Sequence, residues 1–220
     1  DGGNVTLDFV PEPGVTYQWL QNGNPLPGAT GNAVTVDASG SYTVVATNAS
    51  GCTSTSNGTT VTVNALPAAP VINALGNTVF CAGGSVVLET PLVTGYSYQW
   101  LVDGSVIAGA VSNQYSVSDS SGFYSVVVTN QNGCTALSVI SYQVVVNPLP
   151  AVPVVTASND TLFASGSGPF QWYLDGVVIP GATGQSYVVT TNGNYSVTVT
   201  DVNGCSATSA VYPFTNVGIT

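Results

Sequence analysis

Three copies of one sequence pattern follow each other along this chain, and they constrain its fold more than any other feature. In each copy, a segment containing Trp is followed by Gly-x-Tyr and then by Gly-Cys. The Trp-to-Cys separations are 33, 34 and 33 residues, from Trp19 to Cys52, from Trp100 to Cys134 and from Trp172 to Cys205. A spacing this constant indicates one supersecondary unit copied in tandem. We therefore predict three small domains.

Two similar proline-rich segments, residues 64–71 and 147–154, separate the three copies. Repeated proline fixes the backbone φ angle and removes hydrogen-bond donors, so each segment should be an extended and semi-rigid linker. These linkers place the predicted domains at residues 1–65, 66–148 and 149–220.

Each copy shows short runs of alternating polar and apolar residues, which are typical of half-buried strands. The pairs Asn22-Gly23, Asp103-Gly104 and Asp175-Gly176 match two-residue hairpin turns, in which both central residues need positive φ. The runs that follow Gly-x-Tyr are rich in valine and threonine, which favour strands. No segment has the spacing of an amphipathic helix, so the chain is predicted to be all-β.

About seven strands per copy, with Trp on the third and Tyr near the start of the sixth, indicate an immunoglobulin-like β-sandwich. In this fold the Trp fills the core, and the Tyr hydroxyl donates a hydrogen bond back to the backbone at a tyrosine corner. We therefore predict that the following aromatic residues are structural core residues rather than ligand contacts: Trp19, Trp100, Trp172, Tyr42, Tyr124 and Tyr195.

The charge composition excludes several classes of function. The chain has no Lys, Arg or His and carries ten Asp and Glu, for a net charge of −10. Such a surface repels nucleic acid and anionic membranes, so neither is an expected partner. No run of 18 apolar residues is present, so no membrane insertion is expected. The usual base for a nucleophile, imidazole ligands for zinc and the phosphate-binding lysine are all absent. With its carboxylates scattered along the chain, we expect no enzyme activity, no metal site and no cofactor.

The combined motif also resembles a known family. Tyr-Gln-Trp, Asn/Asp-Gly, Pro-Gly-Ala-Thr, Gly-x-Tyr and Gly-Cys are similar to the bacterial Ig-like repeats of very large secreted surface proteins, which are typical of type IX secretion. Residues 27–30 and 180–183 fit the Pro-Gly-Ala-Thr element, while residues 108–111 depart from it. The resemblance implies an extracellular protein, on the bacterial surface or secreted, and an internal excerpt of a longer chain.

This resemblance leads to one main functional hypothesis and two alternatives. The main one is a noncatalytic segment of a surface adhesin or its stalk, with tandem modules that provide reach and display. The alternatives are a carbohydrate-binding or spacer array of a polysaccharide-degrading enzyme, and a subunit of an extracellular filament that exchanges terminal strands. The expected partners are a surface glycan or protein, further Ig-like modules of the same long chain, or neighbouring chains in a filament. Tyr96 and Tyr173 are the candidate ligand contacts.

Four cysteines suggest an oxidising compartment. In the second domain, Cys81 precedes an early strand and Cys134 follows a late one, so we predict a disulfide between them. Residues 1–7 align with residues 82–88, which places the matching cysteine of the first domain one residue before Asp1. The third domain has no cysteine at that position. Cys52 and Cys205 are therefore predicted to be free thiols.

Overall fold

The structure, a computed structural model, describes residues 3–215, and every regular element in that part of the chain is a β-strand. The strands form three consecutive sets, which we call the first, second and third repeat, and each sheet draws its strands from one repeat. The chain is thus an all-β protein of tandem Ig-like β-sandwiches, as the sequence predicts. Within the described residues, no helix is long and apolar enough to cross a membrane.

The three repeats differ slightly in their number of strands. The first contains β1 (Val5–Asp8), β2 (Thr16–Gln21), β3 (Asn24–Pro25), β4 (Ala33–Val36), β5 (Gly40–Thr47), β6 (Thr53–Thr55) and β7 (Thr59–Val61). The second contains β8 (Asn73–Ala74), β9 (Val79–Cys81), β10 (Val86–Glu89), β11 (Ser97–Val102), β12 (Ser105–Val106), β13 (Gln114–Val117), β14 (Gly122–Thr129), β15 (Thr135–Leu137) and β16 (Tyr142–Asn147). The third contains β17 (Val155–Ser158), β18 (Thr161–Ala164), β19 (Phe170–Leu174), β20 (Val177–Val178), β21 (Ser186–Val188), β22 (Gly193–Thr200), β23 (Ser206–Thr208) and β24 (Tyr212–Phe214).

The chain packs as two compact units that do not coincide with single repeats. The first unit is formed by the chain up to Ala69 together with Val93–Ser97 and Val128–Leu137. The second unit is formed by Pro70–Leu92, Tyr98–Val127 and the chain from Ser138 onward. The first repeat therefore packs with the turn region after β14, and most of the second repeat packs with the third.

The second repeat shows the complete arrangement of two sheets. One sheet has the strand order β13-β10-β8, and the other has the order β12-β11-β14-β16-β9 with β15 also on β14. All the pairings for which a register is given are antiparallel except that of β9 with β16, where Cys81 stands beside Asn147. The two short strands β8 and β9 thus complete one edge of each sheet. The third repeat has a counterpart of β8, because β17 lies on the edge of β18.

The hairpin turns and the Trp positions show how local sequence determines the fold. Asn22, Asp103 and Asp175 have φ near +50° and each is followed by a glycine with positive φ, as the predicted turns require. In the strand before each turn, the Gln side chain donates to the carbonyl of its Trp and to a carbonyl beyond the hairpin. Each indole N–H then donates to a backbone carbonyl twelve residues later.

The core is dense in the second and third repeats and thinner in the first. Trp100 and Trp172 are fully buried, and Trp19 is 5% exposed. Each of the first two stacks on or tilts against a tyrosine, Tyr115 and Tyr187 respectively. Trp19 packs instead against Phe9, which also contacts Tyr17.

Candidate functional site

The Tyr of each Gly-x-Tyr element is hydrogen-bonded to the backbone just before its own strand. The tyrosine hydroxyls donate to the carbonyl four residues earlier, with oxygen–oxygen distances of 2.8, 2.8 and 2.6 Å in the three repeats. These are the hydrogen bonds of the tyrosine corner. Burial, followed by the repulsion of Tyr115 and Asp103, raises the pKa of Tyr124. Burial and Tyr187 raise the pKa of Tyr195, opposed by its bond to Thr191. All three side chains are buried and have a structural role.

Each repeat also carries the same cysteine turn: residues 48–52, 130–134 and 201–205. The first side chain of each turn, Asn48, Asn130 or Asp201, accepts hydrogen bonds through Oδ1 from the backbone N–H two and four residues later. The backbone N–H of the same residue donates to the carbonyl of the cysteine, with nitrogen–oxygen distances of 2.8–3.1 Å. The three cysteines therefore leave the backbone in the same local geometry, whatever partner each one has.

The disulfide prediction was wrong about the partner of Cys81. The structure bonds Cys81 to Cys205, and the free thiols are Cys52 and Cys134. Cys81 ends β9 beside Asn147, where the chain leaves the second repeat for the third. Strand β14 pairs with β16 through its first residues, Gly122–Tyr124. From there β14 runs away from Asn147 to Thr129, and the turn that carries Cys134 follows. At about 3.4 Å per residue, that extension removes Cys134 from bonding range of Cys81.

Cys134 instead lies against the linker that follows the first repeat. Its Sγ is 3.9 Å from the Asn64 carbonyl oxygen, and the Asn130 Nδ2 donates to the Ala65 carbonyl at 2.9 Å. In the second unit, Cys205 occupies the equivalent turn and is bonded to Cys81, beside Asn147. Both turns therefore contact the end of the preceding repeat. The one signal in the sequence for this arrangement is that Cys205 has no candidate partner in its own repeat.

The candidate ligand contacts Tyr96 and Tyr173 are partly buried and lie in different units, so neither unit contains both. Two aromatic side chains that the sequence analysis did not single out are more exposed: Phe123 is 50% and Phe163 is 42% exposed. Each precedes or follows an inward-facing residue on its strand, and strict alternation along a strand could have identified both.

An open groove with a volume of about 520 Å³ lies in the first repeat. Apolar surface comes from Phe9, Val10, Tyr17 and Val44, and Cys52 is also among the lining residues. Glu12 is the one charged residue of its lining, and the Glu12 N–H donates to the Tyr17 hydroxyl at 2.7 Å. This groove offers apolar contact and a thiol, without a pair of carboxylates facing each other.

Among the described residues there is no group of three or more His, Cys, Asp or Glu that could hold a metal ion. The two groups with shifted pKa values are corner tyrosines whose hydroxyls are already used in backbone hydrogen bonds. What the repeats do bring together are turns, linkers and cysteines.

The comparison with protein families supports the resemblance found in the sequence. Residues 67–148 match the model of the family described as "Ig-like domain CHU_C associated". This segment covers the second repeat, and the expected similarity to bacterial Ig-like modules is confirmed there. The comparison with characterised protein sequences found no match.

The comparison with solved structures found similarities at low sequence identity. The I-band fragment I67-I69 of titin is 15% identical, covers 96% of this chain and 91% of its own, and has a TM-score of 0.43. A Ca²⁺-stabilized adhesin that helps an Antarctic bacterium reach out and bind ice is 16% identical, with coverages of 96% and 68% and a TM-score of 0.41. Fibronectin(III)-like modules of Clostridium thermocellum CbhA are 15% identical, with coverages of 64% and 90% and a TM-score of 0.36.

Proposed function

We propose that this chain is a noncatalytic segment of an extracellular bacterial surface protein, an adhesin or its stalk, in which tandem Ig-like modules hold a binding region away from the cell. The observation that supports the proposal most is the way in which cysteine turns engage the end of the preceding repeat. Cys205 is covalently bonded to Cys81, and Asn130 donates to Ala65 in the linker after the first repeat.

A covalent connection between repeats suits a protein under tension. The Cys81–Cys205 disulfide spans 124 residues of sequence, and a pulling force at the chain ends cannot extend the segment inside that loop. The noncovalent contacts of Asn130 and Cys134 leave the first linker without such a lock. The disulfide also fits an oxidising, extracellular location.

The surface chemistry is consistent with a display role. Because the chain lacks Lys, Arg and His, it forms no side-chain salt bridges and repels other anionic polymers. Its partners would be neutral surfaces, such as an uncharged glycan or the polar face of a protein. Under the carbohydrate-binding alternative, Tyr96 and Tyr173 are the side chains that would make such contacts.

Force spectroscopy on the full chain tests the stalk role. When the oxidised chain is pulled from its two ends, the segment between Cys81 and Cys205 should stay folded into a closed loop. At about 3.4 Å per residue, the total extension should then be shorter by roughly 400 Å than in the same chain treated with a thiol reductant. Equal extensions of the oxidised and reduced chains would contradict a mechanical role for the link.

A glycan array tests the carbohydrate-binding alternative separately. Under the stalk hypothesis, the chain should show no glycan binding that depends on Tyr96 or Tyr173. Phe123→Ala is the matched control, because it removes an exposed aromatic ring that neither hypothesis uses. Specific binding that is lost in Tyr96→Ala or Tyr173→Ala and kept in Phe123→Ala would favour a carbohydrate-binding module over a spacer.

A further inference from the structure

The first repeat has an open side at the place where the second repeat carries β8 and β9. Strand β1 corresponds to β10, since Val5–Asp8 pair with Val36–Ala33 as Val86–Glu89 pair with Val117–Gln114. The other edge of β10 is occupied by β8, and the equivalent edge of β18 by β17. Among the described residues of the first repeat, the sheet of β1 consists of β1 and β4 alone.

The outer edge of β7 is also unpaired among the described residues. Strand β7 corresponds to β16, because Val61 pairs with Gly40 as Val144 pairs with Gly122. In the second repeat, β9 runs parallel to the end of β16. The backbone that would receive such a strand has the same conformation in both repeats. The Ser39 hydroxyl donates to the Val63 carbonyl and accepts from the Val63 N–H. The Ser121 hydroxyl makes the same two hydrogen bonds with Val146.

Two clefts mark the space between β1 and β7. One, of about 280 Å³, is lined by Leu7, Trp19, Tyr42 and Thr59 among others. The other, of about 240 Å³, lies further along the same strands and reaches Cys134. Both expose apolar side chains whose counterparts in the second repeat are covered. Val5 is 41% exposed, for example, whereas its counterpart Val86 is 2% exposed.

We propose that this open side is an acceptor site for an extended β-strand segment of an Ig-like polypeptide of the same repeat type. The occupant has the sequence pattern of Pro70–Cys81: a short strand that pairs antiparallel with β1, a crossing, and a second strand that runs parallel to β7. The second repeat shows the geometry, because the Leu75 N–H donates to the Val87 carbonyl and the Ala82 N–H donates to the Asn147 carbonyl, at 2.8 Å each. The equivalent acceptors in the first repeat are the carbonyls of Thr6 and Asn64.

The register brings a thiol to Cys134. A segment docked in this way places its equivalent of Cys81 beside Asn64, as Cys81 stands beside Asn147. The Cys134 Sγ already lies 3.9 Å from the Asn64 carbonyl oxygen. Cys134 also holds the turn position that Cys205, the partner of Cys81, holds in the third repeat. The docked strand is therefore locked by a disulfide to Cys134. Strand addition supplies main-chain hydrogen bonds, and the apolar clefts select the side chains.

This site goes beyond the proposed function, because strand acceptance does not depend on what the chain binds at a surface. It can be tested on the full chain with a synthetic peptide of residues 70–82, blocked at both termini, whose cysteine is a mixed disulfide with glutathione. The Cys134 thiolate attacks the peptide sulfur, a new sulfur–sulfur bond forms, and glutathione leaves as a thiolate that takes up a proton. No other oxidant is needed.

Cys52 is the internal control, because it is a free thiol that is more exposed than Cys134. Exchange without docking would favour Cys52 or label both residues equally. We expect adducts at Cys134 to exceed those at Cys52 by at least about tenfold, which corresponds to about 1.4 kcal/mol of selective binding. The adduct should disappear in Cys134→Ser and remain in Cys52→Ser. Labelling of Cys52 at an equal or higher level, or the absence of any adduct, would overturn the proposal.

Two further peptides separate docking from simple thiol reactivity. The first carries Leu75→Pro, which removes the N–H that would donate to Thr6. The Leu75 side chain is itself 56% exposed, so little packing is lost. Its Cys134 adduct should fall about tenfold. The second carries Cys81→Ser and should slow amide hydrogen exchange in Val5–Asp8 by at least about tenfold. Unchanged labelling by the first peptide, or unchanged exchange with the second, would contradict strand addition at β1.

Discussion

The first and second repeats carry the same local motifs and yet bury them to different extents. Both have the Asn/Asp-Gly hairpin, the tyrosine corner and the cysteine turn, with nearly the same hydrogen-bond lengths. Val126 in β14 is nevertheless fully buried, whereas its counterpart Val44 in β5 is partly exposed. The comparison teaches that turns and corners form from neighbouring residues alone. In the two repeats with a closed core, an additional strand pairs with β10 or with β18.

The difference follows from which edges are covered. In the second repeat, β8 and β9 lie along the open sides of the two sheets and seal the apolar layer between them. Ile72, next to β8, is buried there. In the described residues of the first repeat, clefts lined by Leu7 and Val61 occupy that position.

The Cys81–Cys205 disulfide should provide the largest stabilising effect. In the chain-entropy treatment, closing a loop of 124 residues stabilises the folded state by about 5 kcal/mol. The double variant Cys81→Ser/Cys205→Ser should lose about that much in urea unfolding of the second unit. Cys52→Ser is the control and should change stability by less than about 0.5 kcal/mol, because its side chain is exposed. Peptide mapping that links Cys81 to Cys134 would contradict this assignment.

Trp100→Ala should destabilise the second repeat by about 3–5 kcal/mol, because it removes a fully buried ring from a closed core. Trp19→Ala should cost less, about 3 kcal/mol or below, since the ring already borders a cleft and the site can relax into it. Denaturant unfolding followed by circular dichroism measures both values. A larger loss for Trp19→Ala than for Trp100→Ala would remove the basis of the comparison between the two cores.

Leu7 and Leu88 hold the same register position in the two repeats, so they allow a second comparison of the two cores. Leu88 is fully buried between β8 and β13, whereas Leu7 holds the same place in β1 beside the open edge. Leu88→Ala should cost about 2–5 kcal/mol, and Leu7→Ala should cost about half of that or less. If the peptide of residues 70–82 docks on β1, the cost of Leu7→Ala should increase in its presence. Equal costs for the two substitutions without peptide would indicate a closed first repeat.

The tyrosine corners should show no such difference between repeats. Tyr124→Phe and Tyr42→Phe each remove one hydrogen bond to a carbonyl four residues earlier. Each should cost about 1 kcal/mol at pH 7. Similar costs in the two repeats would confirm that this motif is local, whereas a loss confined to Tyr124→Phe would contradict it.

High pH provides a further test of the buried tyrosines. Burial raises the pKa of Tyr124 and Tyr195 above about 10, the value in the unfolded chain. Their contribution to stability is complete below pH of about 10, and it is lost as the pH rises towards the folded-state pKa, because the unfolded state releases the proton first. Urea midpoints measured between pH 8 and 11 should fall less in Tyr124→Phe/Tyr195→Phe than in the unsubstituted chain.

Much of the fold could be predicted because its signals are local. The pair Asp103-Gly104 needs positive φ at both positions, and Gly122-Phe123-Tyr124 places a hydroxyl within reach of a carbonyl four residues back. Such interactions depend on residues close in sequence, and three copies make each signal clearer. The prediction of which cysteines pair failed for the opposite reason, since Cys81 and Cys205 are 124 residues apart.

Local sequence specifies the strands, the hairpins, the corner tyrosines and the position of each cysteine turn, because these depend on backbone conformations that a few adjacent residues select. Long-range packing sets which thiol meets Cys81 and which strand edges the described residues of the first repeat leave uncovered. Both depend on how strand edges from distant segments are brought together. Alignment of the repeats placed every cysteine correctly within its repeat, yet the bond forms where the end of one repeat meets the turn of the next.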